Sequence, residues 1–195
     1  MTAAAEFVPV TGPTSGGVIL TLRPAREEDA ERWAVHVRDD LEHLGEHLSW
    51  PANTASVAGA EAYIRRYLRR EAGRELLLVL VDGEALVGGT VLIGYDARTS
   101  AMELGCWVVR THEGQGAMRG ACLATIEHAR RSLGAHRIAW TAAAENARSR
   151  ALADRLGFRL EGRLREAGVH HGRRQDLDVS SLIGDEIDDA LDAQW

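Results

Sequence analysis

Val18, Leu20 and Leu22 stand at alternate positions, the period of a half-buried strand. Pro24 and the acidic run Glu27, Glu28, Asp29 then open a helix, where carboxylates suit the positive end of the dipole, and this helix carries Trp33 inward. Leu41, Leu44 and Leu48 repeat at helical spacing in a second stretch that stops at Trp50-Pro51. A third helix, over roughly 57–71, pairs Tyr63 with Tyr67 and Ile64 with Leu68, with Arg65, Arg66, Arg69 and Arg70 on its solvated face. The period then changes to strands over 76–81, 85–95 and 102–109, an antiparallel meander whose first turn is Asp82-Gly83. That turn also divides the most apolar stretch, 75–94, into two strands instead of a membrane span.

Helical spacing returns over 114–133, with Met118, Cys122, Ile126, Ala129 and Leu133 on one stripe, Arg130 and Arg131 in the last turn, and Gly134 as the stop. A strand over 136–142, a helix over 146–156 ended by Gly157, and a final hairpin carrying Leu160, Leu177, Val179 and Leu182 complete the pattern. Residues 1–17 have no sustained period and read as a mobile tail; 184–195 read as a loose acidic tail. One domain over 18–183 remains, which 195 residues with 45% hydrophobic content can supply with a single core.

Composition narrows the chemistry. All 23 cations are arginine, and without lysine the chain cannot be a Schiff-base or pyridoxal enzyme, a P-loop nucleotidase or a protein kinase. A net charge of -6 argues against a general binder of nucleic acid or anionic membrane. Cys106 and Cys122 form neither a disulfide framework nor a paired zinc spacing, which suits a reducing cytoplasm. Residues 1–10 lack the basic n-region and apolar core of a signal peptide, so a soluble, cytoplasmic protein is expected.

Four groupings could carry function. In the turn Glu113-Gly114-Gln115-Gly116-Ala117-Met118, between strand and helix, glycines let backbone amides approach an anion at the helix start; read structurally, they permit a tight turn. Asn146 and Ser149 share a face at the next helix start, where Asn146 also suits an N-cap. His43, Glu46 and His47 match a zinc-binding H-x-x-E-H pattern, although Gly45 weakens the helix and no third ligand is marked. Gly114, Gly116 and Gly120 approximate a dinucleotide fingerprint, but a meander precedes them where that fold opens with the fingerprint unit.

Taken together, the sequence resembles the GNAT superfamily of N-acetyltransferases, in its RimJ/RimL-type branch. The likeness runs from about Leu20 to Leu182. It is carried by Leu22-Arg23-Pro24-Ala25, Asp29-Ala30, Ser49-Trp50-Pro51, residues 103–109, residues 113–118, His136-Arg137-Ile138, Asn146 with Ser149, Gly157-Phe158, Glu161-Gly162 and Asp176. The resemblance implies an α+β fold with layered α/β/α architecture and a central, mostly antiparallel sheet of about six to seven strands, splayed at the cofactor site and flanked by helices. It implies acetyl-CoA as co-substrate without a metal. The pyrophosphate would lie on Gly114, Gln115, Gly116, Ala117 and Met118, the pantetheine beside Trp107, Val108 and Val109, Asn146 at the thiol arm and Ser149 by the departing sulfur. An acceptor amine, from a protein N-terminus or a small molecule, would attack directly. Glu103 is the first candidate for the base, with Glu166, His170 or a water behind it, and Trp50, Tyr63 and Tyr67 would wall the acceptor pocket beside Glu103. Homodimers are common among similar proteins.

Four positions depart from the family pattern. Glu113 stands where glutamine or arginine is common, Gln115 replaces a common basic residue, Cys106 replaces tyrosine, and Gly168 falls where ribosomal-protein serine acetyltransferases carry a carboxylate proposed as base. Glu113 and Gly168 motivate the alternative of a non-catalytic acyl-CoA-binding module of the same fold.

Overall fold

The computed structural model describes residues 7–14, 16–69 and 74–193. Its strands are β1 (Val10–Pro13), β2 (Ile19–Pro24), β3 (Glu75–Val81), β4 (Ala85–Asp96), β5 (Ala101–Val108), β6 (Arg137–Ala143), β7 (Arg159–His170) and β8 (Arg173–Ile183). They form one sheet in the order β1-β2-β3-β4-β5-β6-β8-β7, antiparallel at every pairing except β5 with β6. The helices are α1 (Ala30–Asp39), α2 (Leu41–Gly45), α3 (Pro51–Thr54), α4 (Val57–Leu68), α5 (Ala117–Arg131), α6 (Ala147–Arg155) and α7 (Asp185–Asp192).

Register decides which helices share a face. Thr90 of β4 opposes Cys106, and the Thr90 hydroxyl hydrogen-bonds that of Thr125 at 2.8 Å, so α5 covers this face. Trp107, opposite Gly89, points the other way and packs against Trp33 of α1. Helices α1 and α4 therefore lie across the sheet from α5. β3, buried along its whole length, runs between the two layers as the apolar run predicted.

The α+β class and the splayed sheet agree with the sequence reading, with eight strands instead of six or seven. The additional strand is β1, inside the segment read as a tail. It pairs with β2 through backbone groups, and its Val-Thr-Gly-Pro sequence has no apolar alternation to announce it. The segment read as a loose acidic tail holds α7. Ile187, Ala190 and Leu191 are buried at i, i+3 and i+4, and Asp188 holds Arg130 of α5, an amphipathic stripe that the surrounding carboxylates mask. The stretch expected to run to Trp50-Pro51 ends earlier, at Gly45, and Pro51 instead begins α3, since proline suits the first helical turn. Helix α4 ends at Leu68; residues 70–71, the end of the predicted helix with Arg70, lie outside the described residues. Among the described residues no helix is long and apolar enough to cross a membrane.

Candidate active site

The one parallel pairing is short. β5 and β6 are in register only through Ala101, Met102 and Glu103 against Arg137, Ile138 and Ala139; beyond that point the strands part. The backbone groups of β5 that face β6 after Glu103 are left without a strand partner, a cost that a sheet tolerates where something else fills the gap. The gap opens into a cavity of about 1160 Å³, walled on one side by residues 104–108 and on the other by residues 140–143. Pockets for drug-sized ligands run to roughly 300–1,000 Å³, so this cavity stands at the large end of that range.

One end of the cavity is the start of α5. Gly116 caps the helix in the left-handed region at φ 77°, and no side chain accepts from the first-turn amides. Gly114, at φ 74°, meets nothing where a Cβ would stand, so the turn is a concave row of N–H groups at the positive end of a 15-residue helix. Arg119, in the first turn of α5, and Arg148, 3.4 Å from Glu113, also line the cavity. The donor set fits a pyrophosphate.

The loop is braced from the segment read as a tail. Thr14 Oγ1 donates to the Gln115 carbonyl at 3.0 Å, and a Cβ on Gly16 would stand 2.6 Å from that same oxygen. Gly16→Ala must therefore displace the loop. We expect a three- to tenfold rise in the KM for acetyl-CoA, about 1 kcal/mol, with kcat little changed. An unchanged KM would show that the brace is incidental.

Glu113 does not face the cradle as a bare charge. Its Oε1 lies 3.3 Å from His43 Nε2 and 3.4 Å from Arg148 Nη1, so it links α2, the cofactor loop and α6. The same contact bears on the zinc pattern. His43 is engaged by Glu113, Glu46 by Arg110, and among the described residues no group of three side chains that could hold a metal ion converges.

Helix α6 forms the side wall. Asn146 Oδ1 accepts from the Ser149 amide at 3.0 Å, so the N-cap reading holds, and the cap leaves the Asn146 NH2 group free of that bond. Ser149 Oγ accepts from the Trp140 indole N–H at 3.0 Å. Arg150 is anchored at 3.1 Å to Asp178 of β8, which also takes two bonds from Arg163, at 2.6 and 3.0 Å. Arg163 first, then Arg150, hold the Asp178 carboxyl down at about 2, so it stays charged and ties α6 to the sheet.

The other end is aromatic. Trp50, Tyr63, Tyr67 and Trp107 line it, with ring centroids 5.2–5.5 Å apart in successive pairs. The Tyr63 and Tyr67 hydroxyls meet at 3.4 Å, and burial pushes the Tyr63 phenol up, so it stays neutral and able to donate. Glu103 is half-buried on this face, since its register partners are Ile93 and Ala139, and Thr141 follows on the same side of β6. Burial raises the Glu103 carboxyl above its ordinary value, opposed by a hydrogen bond with Thr141. Thr141 lines the cavity; Glu103 stands behind it.

Of the residues expected to touch the cofactor, Trp107, Val108, Gly114, Gly116, Met118, Asn146 and Ser149 reach the cavity wall. Val109, Gln115 and Ala117 do not: Val109 and Ala117 are buried behind it, and the Gln115 side chain turns back to the Thr111 carbonyl. Glu166 is exposed, its amide bound to Asp176, and His170 is spent on the Gly45 carbonyl, so neither joins the site. Cys106, in the usual tyrosine position, lines the cavity beside α5, where its contact with Cys122, with burial, pushes the Cys122 thiol up. Trp140, Thr141, His43 and Arg148 were missed by the sequence reading. His43 was read only in a zinc pattern and Arg148 only as part of the helix start, and their convergence on Glu113, like the exposure of Trp140 and Thr141 at the splay, is set by packing.

A splayed sheet, an anion cradle at a helix start and a hydroxyl beside the gap define an acyl-CoA-dependent transferase. The acetyltransferase (GNAT) domain model matches residues 20–159, and the chain belongs to this family. YdaF of Bacillus subtilis (strain 168), named for ribosomal N-acetylation, is 33% identical over 168 residues, covering 84% of this chain and 91% of its own. The ribosomal-protein-serine acetyltransferase of Escherichia coli (strain K12) is 24% identical over 143 residues, covering 73% and 80%. RimJ of Mycobacterium smegmatis, solved with CoA-disulfide, superposes with a TM-score of 0.83 at 24% identity, covering 95% of this chain and 93% of that one. The protein is an N-acetyltransferase that moves an acetyl group from acetyl-CoA to an amine.

Proposed function

We propose that the acceptor is a single primary amine flanked by apolar surface, best matched by the α-amine of a protein N-terminus. The observation that carries this reading is the charge of the wall. Among the described residues Glu113 is the one carboxylate lining the cavity, and His43 and Arg148 already engage it. The further ammonium groups of a polyamine or an aminoglycoside would find no free carboxylate there, and burying an unpaired cation is costly. The aromatic wall of Trp50, Tyr63, Tyr67 and Trp107 instead accepts one small apolar neighbour of the amine. The relatives named for ribosomal proteins point the same way. Cytoplasmic location accords with such an acceptor, and a homodimer is proposed from likeness alone, to be measured by sedimentation.

Acetyl-CoA supplies an acetyl thioester, whose carbonyl carbon the neutral amine attacks as the C–N bond forms and the C–S bond breaks. In our reading the amides of residues 117–119 and the neighbouring arginines hold the pyrophosphate, and the unpaired groups of β5 orient the pantetheine. Glu103 takes the proton of the amine through Thr141 or a water, and Ser149 donates at the sulfur side.

Incubation with isotopically labelled acetyl-CoA, a peptide with a free N-terminus, its N-blocked lysine-containing counterpart and a polyamine mixture tests the acceptor. Label on the free α-amine is expected. Label confined to polyamines would overturn the reading, and CoA binding without transfer to any amine would favour the non-catalytic alternative.

A further inference from the structure

We propose that Trp140 is a positioning residue for the departing sulfur: its indole N–H fixes Ser149 Oγ, directs the hydroxyl proton into the cavity and makes that proton easier to give. The inference rests on the sulfur-side role of Ser149. Trp140 is 3% exposed on β6, and its ring packs edge-on to Phe158 at 5.4 Å, so the indole is held in place. Its N–H donates to Ser149 Oγ at 3.0 Å, while the Ser149 amide is held by Asn146. Serine hydroxyls in helices commonly turn back onto a carbonyl of the preceding turn. Here, among the described residues, the Ser149 hydroxyl has no protein acceptor, and both Trp140 and Ser149 line the cavity at the splay.

A donor on the serine oxygen stabilises negative charge that accumulates there when its proton is shared with a neighbour. Ser149 Oγ gives its proton to the sulfur as the sulfur takes the C–S bonding pair. The proton that leaves the amine nitrogen refills Ser149 through solvent, so no charge is left over. Trp140 never touches the reacting atoms; it acts through Ser149.

The test needs no acceptor. The protein is loaded with CoA carrying carbon-13 beside its sulfur, and the thiol is titrated by nuclear magnetic resonance. Ser149→Ala should raise the pKa of the bound thiol by about one to two units, and Trp140→Phe, which keeps a ring against Phe158, by about one unit. In the Ser149→Ala background Trp140→Phe should add nothing, because the pair acts as one unit. An equal rise in both backgrounds, or no rise with Trp140→Phe while Ser149→Ala shifts the titration, overturns the role of Trp140 alone. No shift with Ser149→Ala means that the sulfur-side reading of Ser149 has failed. Should Trp140→Phe not fold, the unmodified CoA-loaded protein still decides: the Trp140 indole N–H resonance must follow the thiol titration, and a static resonance counts against the proposal.

Discussion

Ser149→Ala is expected to lower kcat by about 100-fold while the KM for acetyl-CoA changes by less than about threefold, because a positioned proton donor acts on the departing sulfur more than on the bound ground state. The geometry behind this is specific. Trp140 donates to Ser149 Oγ, Asn146 holds the Ser149 amide, and among the described residues the Ser149 hydroxyl has no protein acceptor. The substitution also strands the buried Trp140 N–H, which costs about 1–3 kcal/mol of stability, so kinetics belong at a temperature where thermal unfolding shows the variant folded. An unchanged kcat in folded variant would remove Ser149 from the chemistry and leave it as first-turn helix structure.

Glu103→Gln should lower kcat/KM by about 100-fold at neutral pH and take one proton from the acid limb of the pH profile, leaving only the limb of the acceptor amine. Burial raises the Glu103 carboxyl above its ordinary 4.5, with Thr141 opposing the shift. The sign follows: a base works only when deprotonated, so the Glu103 contribution is full above that raised value and is lost tenfold per pH unit below it, in addition to the loss caused by protonation of the acceptor amine. Glutamine keeps the shape and a hydrogen bond to Thr141 but has no carboxylate to protonate. An acid limb of equal slope in the variant and the unmodified protein would remove Glu103 from the limb, and the proton would then leave by a water chain that excludes it.

The meander of β3, β4 and β5 was legible because its signals are local. A continuous apolar run sets β3, alternation sets β5, and Asp82 and Gly83, both in the left-handed region, turn the chain within the three-residue loop 82–84 between β3 and β4. The same holds for α5 and α6, where glycines and an Asn cap mark the starts. β1 and α7 were missed for opposite reasons. β1 is held by backbone pairing that leaves no side-chain pattern, and α7 hides three apolar residues among acids whose partner is a distant arginine.

The site divides along the same line. Gly114, Gly116, Met118, Asn146 and Ser149 could be named from residue type and spacing, since a helix start and its cap lie within a few positions of each other. The residues that tune them could not. Thr14 braces Gln115 across 101 positions, His43 and Arg148 converge on Glu113 from two helices, and Trp140 meets Ser149 after a strand end, a turn and a helix start. By itself the sequence determined most of the elements, the family resemblance and the glycine turn at the start of α5, because these depend on periodicity and on backbone freedom at single residues. Only the tertiary structure decided that β5 and β6 part after Glu103, that Glu113 is engaged by two partners, and that the Trp140 indole reaches the Ser149 hydroxyl. Those facts depend on distances between residues far apart in the chain, which packing sets and local pattern does not encode.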